Sequence, residues 1–579
     1  MAAIELPLPA PKPNRPRAAL GWLGWSACTL VLLAMALFVL YPLVLIVYGS
    51  FIVAAPNGTK VFGIAAWISA WNQAGTVQAI INTIERTAVT ETISLPIAIM
   101  VAWLVARTDI PGKKLIDNFM WMAFFLPAVP VLLGWILLFD PDYGIVNKVA
   151  MAVFGLDQPP LDIFSFWGII FAHMASRSVS AKYIFLVPAF RNIESSLEEA
   201  SHIIGCGSLA TIRRIVLPIL MPAILITVAI SLIHSLESFE IELILGPPTN
   251  FYVFSTKMYQ MMRASPPLFS EATVLGLAVL ICMLPLILWQ QRLLSTRHFA
   301  TIGSGFQHRL LRLRHWRWPI FMAIAALGLV VTVVPTASLV LGTFMNIFGH
   351  FNLAVVWTAD HWREVLGDHL LLRSLWNTLT LGLGAAIVGV AWFALVAYVS
   401  VRTRYAGRGA LDFITWLPAT LPGVILSLGL LWMFLTVPFF RPVYGTIFVL
   451  IVAVLINAVT TGVQLIKSNM VQVGYELEEA SFVLGASWVY TFRRIVVPIL
   501  GPVLISVALY IFNTAARNVA NIVMIVTGGN RPLALLQIDY MNDGQYESAA
   551  IVGVIIVLLT WGIAMMARAV GRRFGFRTL

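Results

Sequence analysis

Long apolar runs recur along this chain, and each is long enough to cross the hydrocarbon core of a bilayer as a helix of about 20 residues. Inside that core a helix bonds all of its own backbone polar groups, which a lone strand cannot do. The runs therefore predict an all-α membrane protein with about 12 transmembrane helices. They lie at residues 21–48, 80–106, 115–139, 164–190, 218–240, 270–291, 317–345, 374–401, 411–437, 443–466, 498–527 and 547–570.

The composition agrees with this class, because 60% of the 579 residues are hydrophobic and only 11% are charged. So little polar surface cannot coat a soluble protein of this length. The formal net charge of +11 would suit nucleic acid, but in a membrane protein the positions of the basic residues matter more than their total. We expect membrane lipid, and no nucleic acid, to balance this charge. Cys28, Cys206 and Cys282 lie far apart without histidine neighbours, so neither a disulfide nor a zinc site is suggested.

Lysine and arginine collect on alternate loops, which predicts that these loops face the cytoplasm. The loop at 140–163, by contrast, holds four aspartates against the single Lys148, so it faces outward. Both chain ends carry arginines, which predicts a multi-pass membrane protein with both termini cytoplasmic. The first run is too long for a signal-peptide core and lacks a clean cleavage pattern, so we interpret it as a retained anchor, a cleaved signal being the alternative.

One polar segment occurs twice. Leu-Glu-Glu-Ala-Ser-x-x-x-Gly begins at Leu197 and again at Leu477, 280 residues later, and each copy is followed by Arg-Arg-Ile-Val-x-Pro-Ile-Leu. Aligned without a gap over 197–222 and 477–502, the copies agree at 15 of 26 positions. A repeat of this length indicates a duplication of most of the chain. An acidic segment retained twice in so apolar a protein suggests a surface that contacts a partner.

The duplication extends upstream at a constant spacing of 295 residues, for example from Asp117 to Asp412 and from Trp121 to Trp416. The expected organisation is a first half at 1–291, a basic cytoplasmic linker at 292–316 and a second half at 317–579. We expect six transmembrane helices in each half, the first of them peripheral to the matched five. An even number of spans separates the two copies, so the pseudo-two-fold axis runs along the membrane normal.

The repeated segment predicts a short cytoplasmic helix, because acidic residues suit the positive end of a helix dipole. Small residues at its centre would let another surface approach the backbone, and Gly205 and Gly485 would permit a turn. Glu199-Ala200-Ser201 with Gly205 resembles the EAA loop of binding-protein-dependent ABC importer permeases, and the second copy keeps the same pattern. Both copies have Ser where that family has a second Ala.

In that family the EAA loop is the coupling helix that enters a groove on the ATPase subunit. The resemblance therefore implies coupling loops at 192–217 and 472–497 and two copies of a cytosolic ABC ATPase as partners. The residues expected to contact the ATPase are Glu198, Glu199, Ala200, Ser201, Gly205, Glu478, Glu479, Ala480, Ser481 and Gly485.

The chain has no phosphate-binding loop of the Gly-x-x-x-x-Gly-Lys-[Ser/Thr] type. We therefore expect a transport subunit rather than an enzyme, with no cofactor of its own and with ATP used by the partner. A fused pair of six-helix halves is similar to the iron(III) and thiamine permeases of this superfamily, which implies a soluble substrate-binding protein as a further partner. Iron(III) is the first choice of substrate, and thiamine, polyamine and organophosphonate stay open.

Ionisable residues inside the predicted spans are the best internal indication of a substrate path, because a charge in hydrocarbon is costly unless it faces protein or water. A path lining, a structural ion pair between helices and a position near the membrane interface are three competing interpretations. The candidates for the path are His173, Arg177, Glu237, Glu240 and Arg517.

An ion-gradient-driven secondary carrier is the main alternative from another class, since such carriers also have two six-helix halves. It would not need two matched cytosolic segments. The histidines of the linker, at positions 298, 308 and 315, have no nearby carboxylates, so no metal site is predicted.

Overall fold

The computed structural model describes residues 22–54, 60–191, 201, 203–295 and 311–573, and these are mostly helical. One short antiparallel hairpin pairs β1 (Ile52–Ala54) with β2 (Lys60–Phe62). For description, we call the helices up to Ser295 the first half and those from Arg317 onward the second half. The first half contains α1 (Trp22–Ser50), α2 (Ala65–Asn72), α3 (Thr76–Arg107), α4 (Lys113–Phe125), α5 (Ala128–Phe139), α6 (Ile145–Phe154), α7 (Phe166–His173), α8 (Val179–Arg191), α9 (Ser208–Thr211), α10 (Leu217–Leu236), α11 (Glu240–Leu245), α12 (Phe254–Arg263) and α13 (Phe269–Ser295).

The second half continues the series with α14 (Arg317–Gly342), α15 (Asp360–Gly367), α16 (His369–Arg402), α17 (Arg408–Trp416), α18 (Gly423–Thr436), α19 (Ile447–Gln472), α20 (Glu476–Val483), α21 (Trp488–Thr491), α22 (Val497–Ile499), α23 (Gly501–Arg517), α24 (Leu533–Asn542) and α25 (Tyr546–Arg573). Three π-helical segments, Met174–Ser178, Ile212–Val216 and Phe492–Val496, join helices without a break. Short 3-10 turns lie at Pro247–Thr249, Arg314–Trp316, Leu417–Thr420 and Arg441–Val443.

Among the described residues, 8 helices are long and apolar enough to cross a membrane, and 11 spans result if each of three bent pairs is one span. The chain is thus a multi-pass membrane protein whose spans are all helical. Eleven of the twelve predicted runs overlap these spans. The twelfth run, 164–190, forms α7 and α8 with the π-helical Met174–Ser178 between them.

Three predicted runs are not straight helices. The run 115–139 bends by 103° between α4 and α5, and the run 411–437 bends by 114° before α18. Pro127 and Pro422 explain these two bends, because a proline disfavours helical geometry in the residue before it, and Leu126 and Leu421 are extended. The prediction of a helix over 498–527 is wrong beyond Arg517, where the backbone becomes extended and then forms turns.

Each half has its own bundle. Helix α3 packs against α8 and α10 in the first half, and α16 packs against α19 and α23 in the second. Two aspartates at matched positions form salt bridges between the corresponding helices, although their basic partners are not at matched positions: Asp117 lies 3.3 Å from Arg191, and Asp412 lies 2.7 Å from Lys467. The largest cluster of buried apolar side chains runs through both halves, so the two bundles share a core.

The first helix of each half packs on the opposite half. Helix α1 lies against α18, and α14 lies against α4 and α5. Two glycines, matched by the 295-residue spacing, allow this approach. A Cβ on Gly134 would lie 2.0 Å from the carbonyl oxygen of Pro335 in α14, and one on Gly429 would lie 3.0 Å from that of Pro42 in α1. The backbones of the crossing helices are therefore in near contact.

Candidate functional site

The second copy of the repeated segment is helix α20, and it is anchored from within by a buried carboxylate. Glu478 is 1% exposed, and its Oε1 lies 3.0 Å from Nε of Arg402 at the end of α16. The hydroxyl of Tyr398 donates to Oε2 of Glu478 at 3.2 Å. Arg402 also donates to the carbonyl oxygens of Met470 and Val473, at 3.0 and 2.9 Å. This network joins α20 to the ends of α16 and α19.

A hydrogen bond inside each segment is the same in both copies. The hydroxyls of Ser201 and Thr211 lie 2.8 Å apart, as do those of Ser481 and Thr491, and all four side chains are buried. The third residue of the Glu-Ala-Ser motif thus ties the segment to the helix that follows it. The predicted contact residues Glu198, Glu199 and Ala200 lie outside the described residues, so the first copy is described from Ser201 onward.

The turn after each segment carries an exposed aliphatic pair. Gly205 and Gly485 have φ angles of +87° and +79°, a region that side chains with a Cβ rarely adopt. Just before them, the exposed fractions of the side chains are very high for aliphatic residues. They are 86% for Ile203, 81% for Ile204, 86% for Val483 and 87% for Leu484. Aliphatic side chains this exposed at the tip of a polar segment indicate a contact surface.

The residues of the second segment divide between its two faces. Ala480 and Gly485 are exposed, Glu479 is partly exposed, and Glu478 and Ser481 point inward. A groove of about 760 Å³ runs beside the exposed face, lined among others by Leu477, Leu484, Tyr490 and Arg494. We call this face, with Ala480, Val483, Leu484 and Gly485 at its centre, the coupling face.

Four of the five path candidates lie together where the two halves meet, and we call the region around them the chamber. Arg177, in a π-helical segment, stacks its guanidinium over the ring of Phe124 at 4.7 Å from the centroid. Arg517 from the second half donates to the carbonyl oxygen of Phe124 at 3.4 Å. Arg177 is within electrostatic range of Glu237 and Glu240, and Arg517 is within range of Glu240.

The four side chains of the chamber keep part of their surface accessible. Arg177 is exposed, and Glu237, Glu240 and Arg517 are only partly buried. The carboxylate of Glu240 also accepts a hydrogen bond from the backbone N–H of Val519, so residues of both halves form its wall. Charged groups that pair across the halves around accessible space are typical of a polar path through a membrane protein.

His173 belongs instead to a buried network within the first half. Its Nε2 lies 2.8 Å from Glu242 Oε1, and Arg86 Nε lies 3.1 Å from the same oxygen. Ser238 donates to the other carboxylate oxygen at 2.6 Å. This arrangement corresponds to the structural interpretation of an intramembrane charge, because Glu242 is paired with both Arg86 and His173 within the protein.

A second buried pair joins Lys182 to Glu91 at 3.1 Å. The sequence analysis missed Arg86, Glu91 and Glu242 as partners, although each is an ionisable residue in or near an apolar run and would have qualified by the same rule. Phe124 carries no such signal, since only the fold brings its ring to Arg177 and its carbonyl oxygen to Arg517.

Together these features describe a multi-pass helical membrane protein with two matched polar segments and a group of charged residues between its halves. Residues 94–297 match the family described as "Binding-protein-dependent transport system inner membrane component". Over this stretch the chain is thus similar to the permease components of binding-protein-dependent ABC importers, which are transport subunits.

Known relatives extend the match over most of the chain. It is 25% identical over 475 residues to the ferric transport system permease protein FbpB of Actinobacillus pleuropneumoniae, which covers 81% of this chain and 67% of that protein. It is 26% identical over 503 residues to the probable ABC transporter permease protein y4fN of Sinorhizobium fredii, covering 83% and 85% of the two chains. A solved bacterial ABC transporter involved in the import of alginate matches 48% of this chain and 96% of its own, with 22% identity and a TM-score of 0.41.

Proposed function

We propose that this chain unites both permease halves of an ATP-driven iron(III) importer, with six transmembrane helices in each half. The halves are residues 1–291 and 317–579, joined by a cytoplasmic linker at 292–316, and they are related by a pseudo-two-fold axis along the membrane normal. The protein lies in the bacterial inner membrane with both termini in the cytoplasm. The matched glycines Gly134 and Gly429, each under a helix from the opposite half, support this relation.

The observation that carries the proposal is the recurrence of one surface 280 residues apart. Each copy combines a buried Ser–Thr hydrogen bond, a glycine with positive φ and an exposed aliphatic pair. Two equivalent surfaces need two equivalent partners, so two cytosolic ATPase subunits bind here. Glu199 and Glu479 take the role of the family's EAA glutamate, while Glu478 positions its helix from within.

Coupling follows from the way in which the segment is attached. The Arg402–Glu478 ion pair fixes α20 to the end of α16, a helix of 34 residues that runs through the second bundle. When ATP-driven closure draws the two ATPase subunits together, force on the coupling face is transmitted to α16 through this pair. The two halves then tilt about the chamber between them.

The chamber lined by Arg177, Glu237, Glu240 and Arg517 is the proposed substrate path. The two carboxylates supply oxygen atoms that suit a hard cation, and the two guanidinium groups keep the formal charge of the four side chains at zero. A cation therefore passes without being held tightly. Iron(III) as the substrate rests on the similarity to FbpB, which is named a ferric permease. The substrate itself comes from a soluble binding protein on the outer side.

The test is uptake by proteoliposomes that contain this permease, its ATPase and its binding protein. We expect ATP-dependent accumulation of radiolabelled iron(III), and a strong loss of uptake at low substrate in the Arg177→Ala and Glu237→Ala variants. Normal uptake by both variants would remove the path assignment. His173→Gln serves as the comparison, because its side chain is outside the chamber.

The same vesicles separate the alternatives. Accumulation of thiamine, a polyamine or an organophosphonate instead of iron would change the substrate but keep the importer. Uptake that follows an ion gradient and ignores ATP would identify a secondary carrier and refute the proposal.

A further inference from the structure

A basic cavity lies where the linker between the halves meets the start of α14. Its volume is about 520 Å³, and it is lined by Asp109, Arg312, Arg314, His315, Arg317 and Trp318. Three guanidinium groups therefore face one carboxylate across a space large enough for a small ligand. This cavity is separate from the coupling face and from the chamber.

The backbone around the cavity is fixed by hydrogen bonds between distant parts of the chain. The N–H of Leu311 donates to the carbonyl oxygen of Arg107 at 2.9 Å, and the N–H of Asp109 donates to that of Leu311 at 3.0 Å. Asp109 Oδ1 accepts the N–H of Leu313 at 2.7 Å. The carboxylate of Asp109 thus holds the linker in place, and one of its oxygens is already occupied by a backbone N–H.

The three arginines of the cavity outnumber its one carboxylate, Asp109. Within the described ranges, none of Arg312, Arg314 and Arg317 forms an ion pair. Arg314 also has a φ angle of +52°, an uncommon conformation for a residue with a side chain. Arginine forks match the oxygens of phosphate with two parallel hydrogen bonds, which makes phosphate the anion that suits this cluster.

The position of the cavity relates it to the membrane surface. Helix α14 is one of the candidate spans, and the exposed fractions of Trp316 and Trp318 beside its first turn are 60% and 54%. Exposed indoles at the end of a span are typical of the membrane–water interface, where lipid phosphates lie.

We propose that this cavity is a binding site for a phosphate group, presented by an anionic lipid headgroup or by a free phosphate compound. Arg312 and Arg314 bind the phosphate oxygens, and the hydrogen-bonded backbone of the linker holds these two arginines in position. Because the cavity joins the loop after α3 to the helix that crosses onto α4 and α5, a bound phosphate bridges the two halves.

The experiment is calorimetric titration of the full-length protein in detergent with two soluble probes, inorganic phosphate and short-chain phosphatidylglycerol. The variant Arg312→Gln/Arg314→Gln removes two charges from the cavity. The control Arg404→Gln/Arg408→Gln removes two charges from the corresponding loop of the second half, since Arg404 matches Asp109 by the 295-residue spacing.

We expect the native protein to bind at least one probe, and the cavity variant to lose about tenfold or more in affinity while the control binds normally. Binding of both probes identifies the phosphate itself as the ligand, and binding of the lipid alone identifies a headgroup. Equal weakening in the two variants would mean general surface attraction and would overturn the site, as would absence of binding by either probe. Thermal unfolding of both variants checks that each is folded.

Discussion

Replacing Arg402 by methionine is the sharpest test of how the coupling face is held. The change leaves Glu478 as a buried carboxylate without its cation and leaves the carbonyl oxygens of Met470 and Val473 without their donor. Removing one partner of a buried ion pair costs about 3–5 kcal/mol. Helix α20 is short and peripheral, so we expect this cost to appear as undocking of α20 rather than as unfolding of the bundle.

The expected loss can be measured as ATPase affinity. A cost of about 3 kcal/mol lowers the ratio of docked to undocked α20 by a factor of roughly 100–200. If only the docked state binds, the apparent Kd rises in proportion to the lost population. The assay is binding of the purified ATPase to the immobilised permease in detergent. Arg363→Met is the control, because its ion pair with Asp360 is exposed and contributes about 0–1 kcal/mol.

Replacing Glu478, the partner of Arg402, tests the same ion pair through the pH dependence of docking. Burial raises the pKa of Glu478, and Arg402 and Tyr398 oppose this shift. The docked carboxyl therefore binds a proton more readily than the undocked one, so docking loses stability as the pH rises through the raised pKa. Glu478→Gln should abolish this pH dependence and cost less than Arg402→Met. Wild-type ATPase affinity in Arg402→Met, or an equal loss in Arg363→Met, would refute the reasoning.

Three further substitutions test the rest of the architecture. Gly485→Ala should weaken ATPase binding, because a residue with a Cβ is strained at a φ of +79°. The control is Gly501→Ala, whose Cβ would also contact no neighbouring atom but whose φ is not positive, and it should leave binding intact. Equal ATPase affinities of the two variants would exclude a role for the turn. Leu484→Asp should reduce ATPase affinity without lowering the melting temperature, since the side chain of Leu484 is 87% exposed. A lower melting temperature alongside the lower affinity would argue for a packing role of Leu484 instead. Gly134→Ala should destabilise the protein by about 1–3 kcal/mol or more, because its Cβ would lie 2.0 Å from a backbone oxygen. The control is Gly562→Ala, whose Cβ would contact no neighbouring atom. Equal melting temperatures of the two variants would contradict the helix crossing.

The residues of the repeated segment illustrate how far a pattern predicts a site. The spacing of Glu, Ala, Ser and Gly predicted a short helix followed by a turn, and α20 with Gly485 has this form. Which face of the helix points outward was not predictable, because the partners of Glu478 and Ser481 lie elsewhere in the chain. Tyr398 is 80 residues from Glu478, and Thr491 is ten residues from Ser481.

The charged residues of the spans were likewise identified from the sequence, but their roles were not. Each was recognisable as costly in hydrocarbon, yet the sequence left a path and a structural pair equally open. The structure separates them by distance alone: His173 touches Glu242, 69 residues away, while Arg177 and Arg517 approach Phe124 from different halves.

The sequence by itself determined that this is a duplicated helical membrane protein and where most of its spans lie, because hydropathy and repetition are properties of neighbouring residues along the chain. Only the tertiary structure decided that α1 and α14 cross to the opposite halves and that two arginines share one chamber. These features depend on contacts such as that of Gly134 with Pro335, made between helices that are far apart in sequence. No local pattern specifies such contacts, since an apolar helix packs equally well, by composition, against either half.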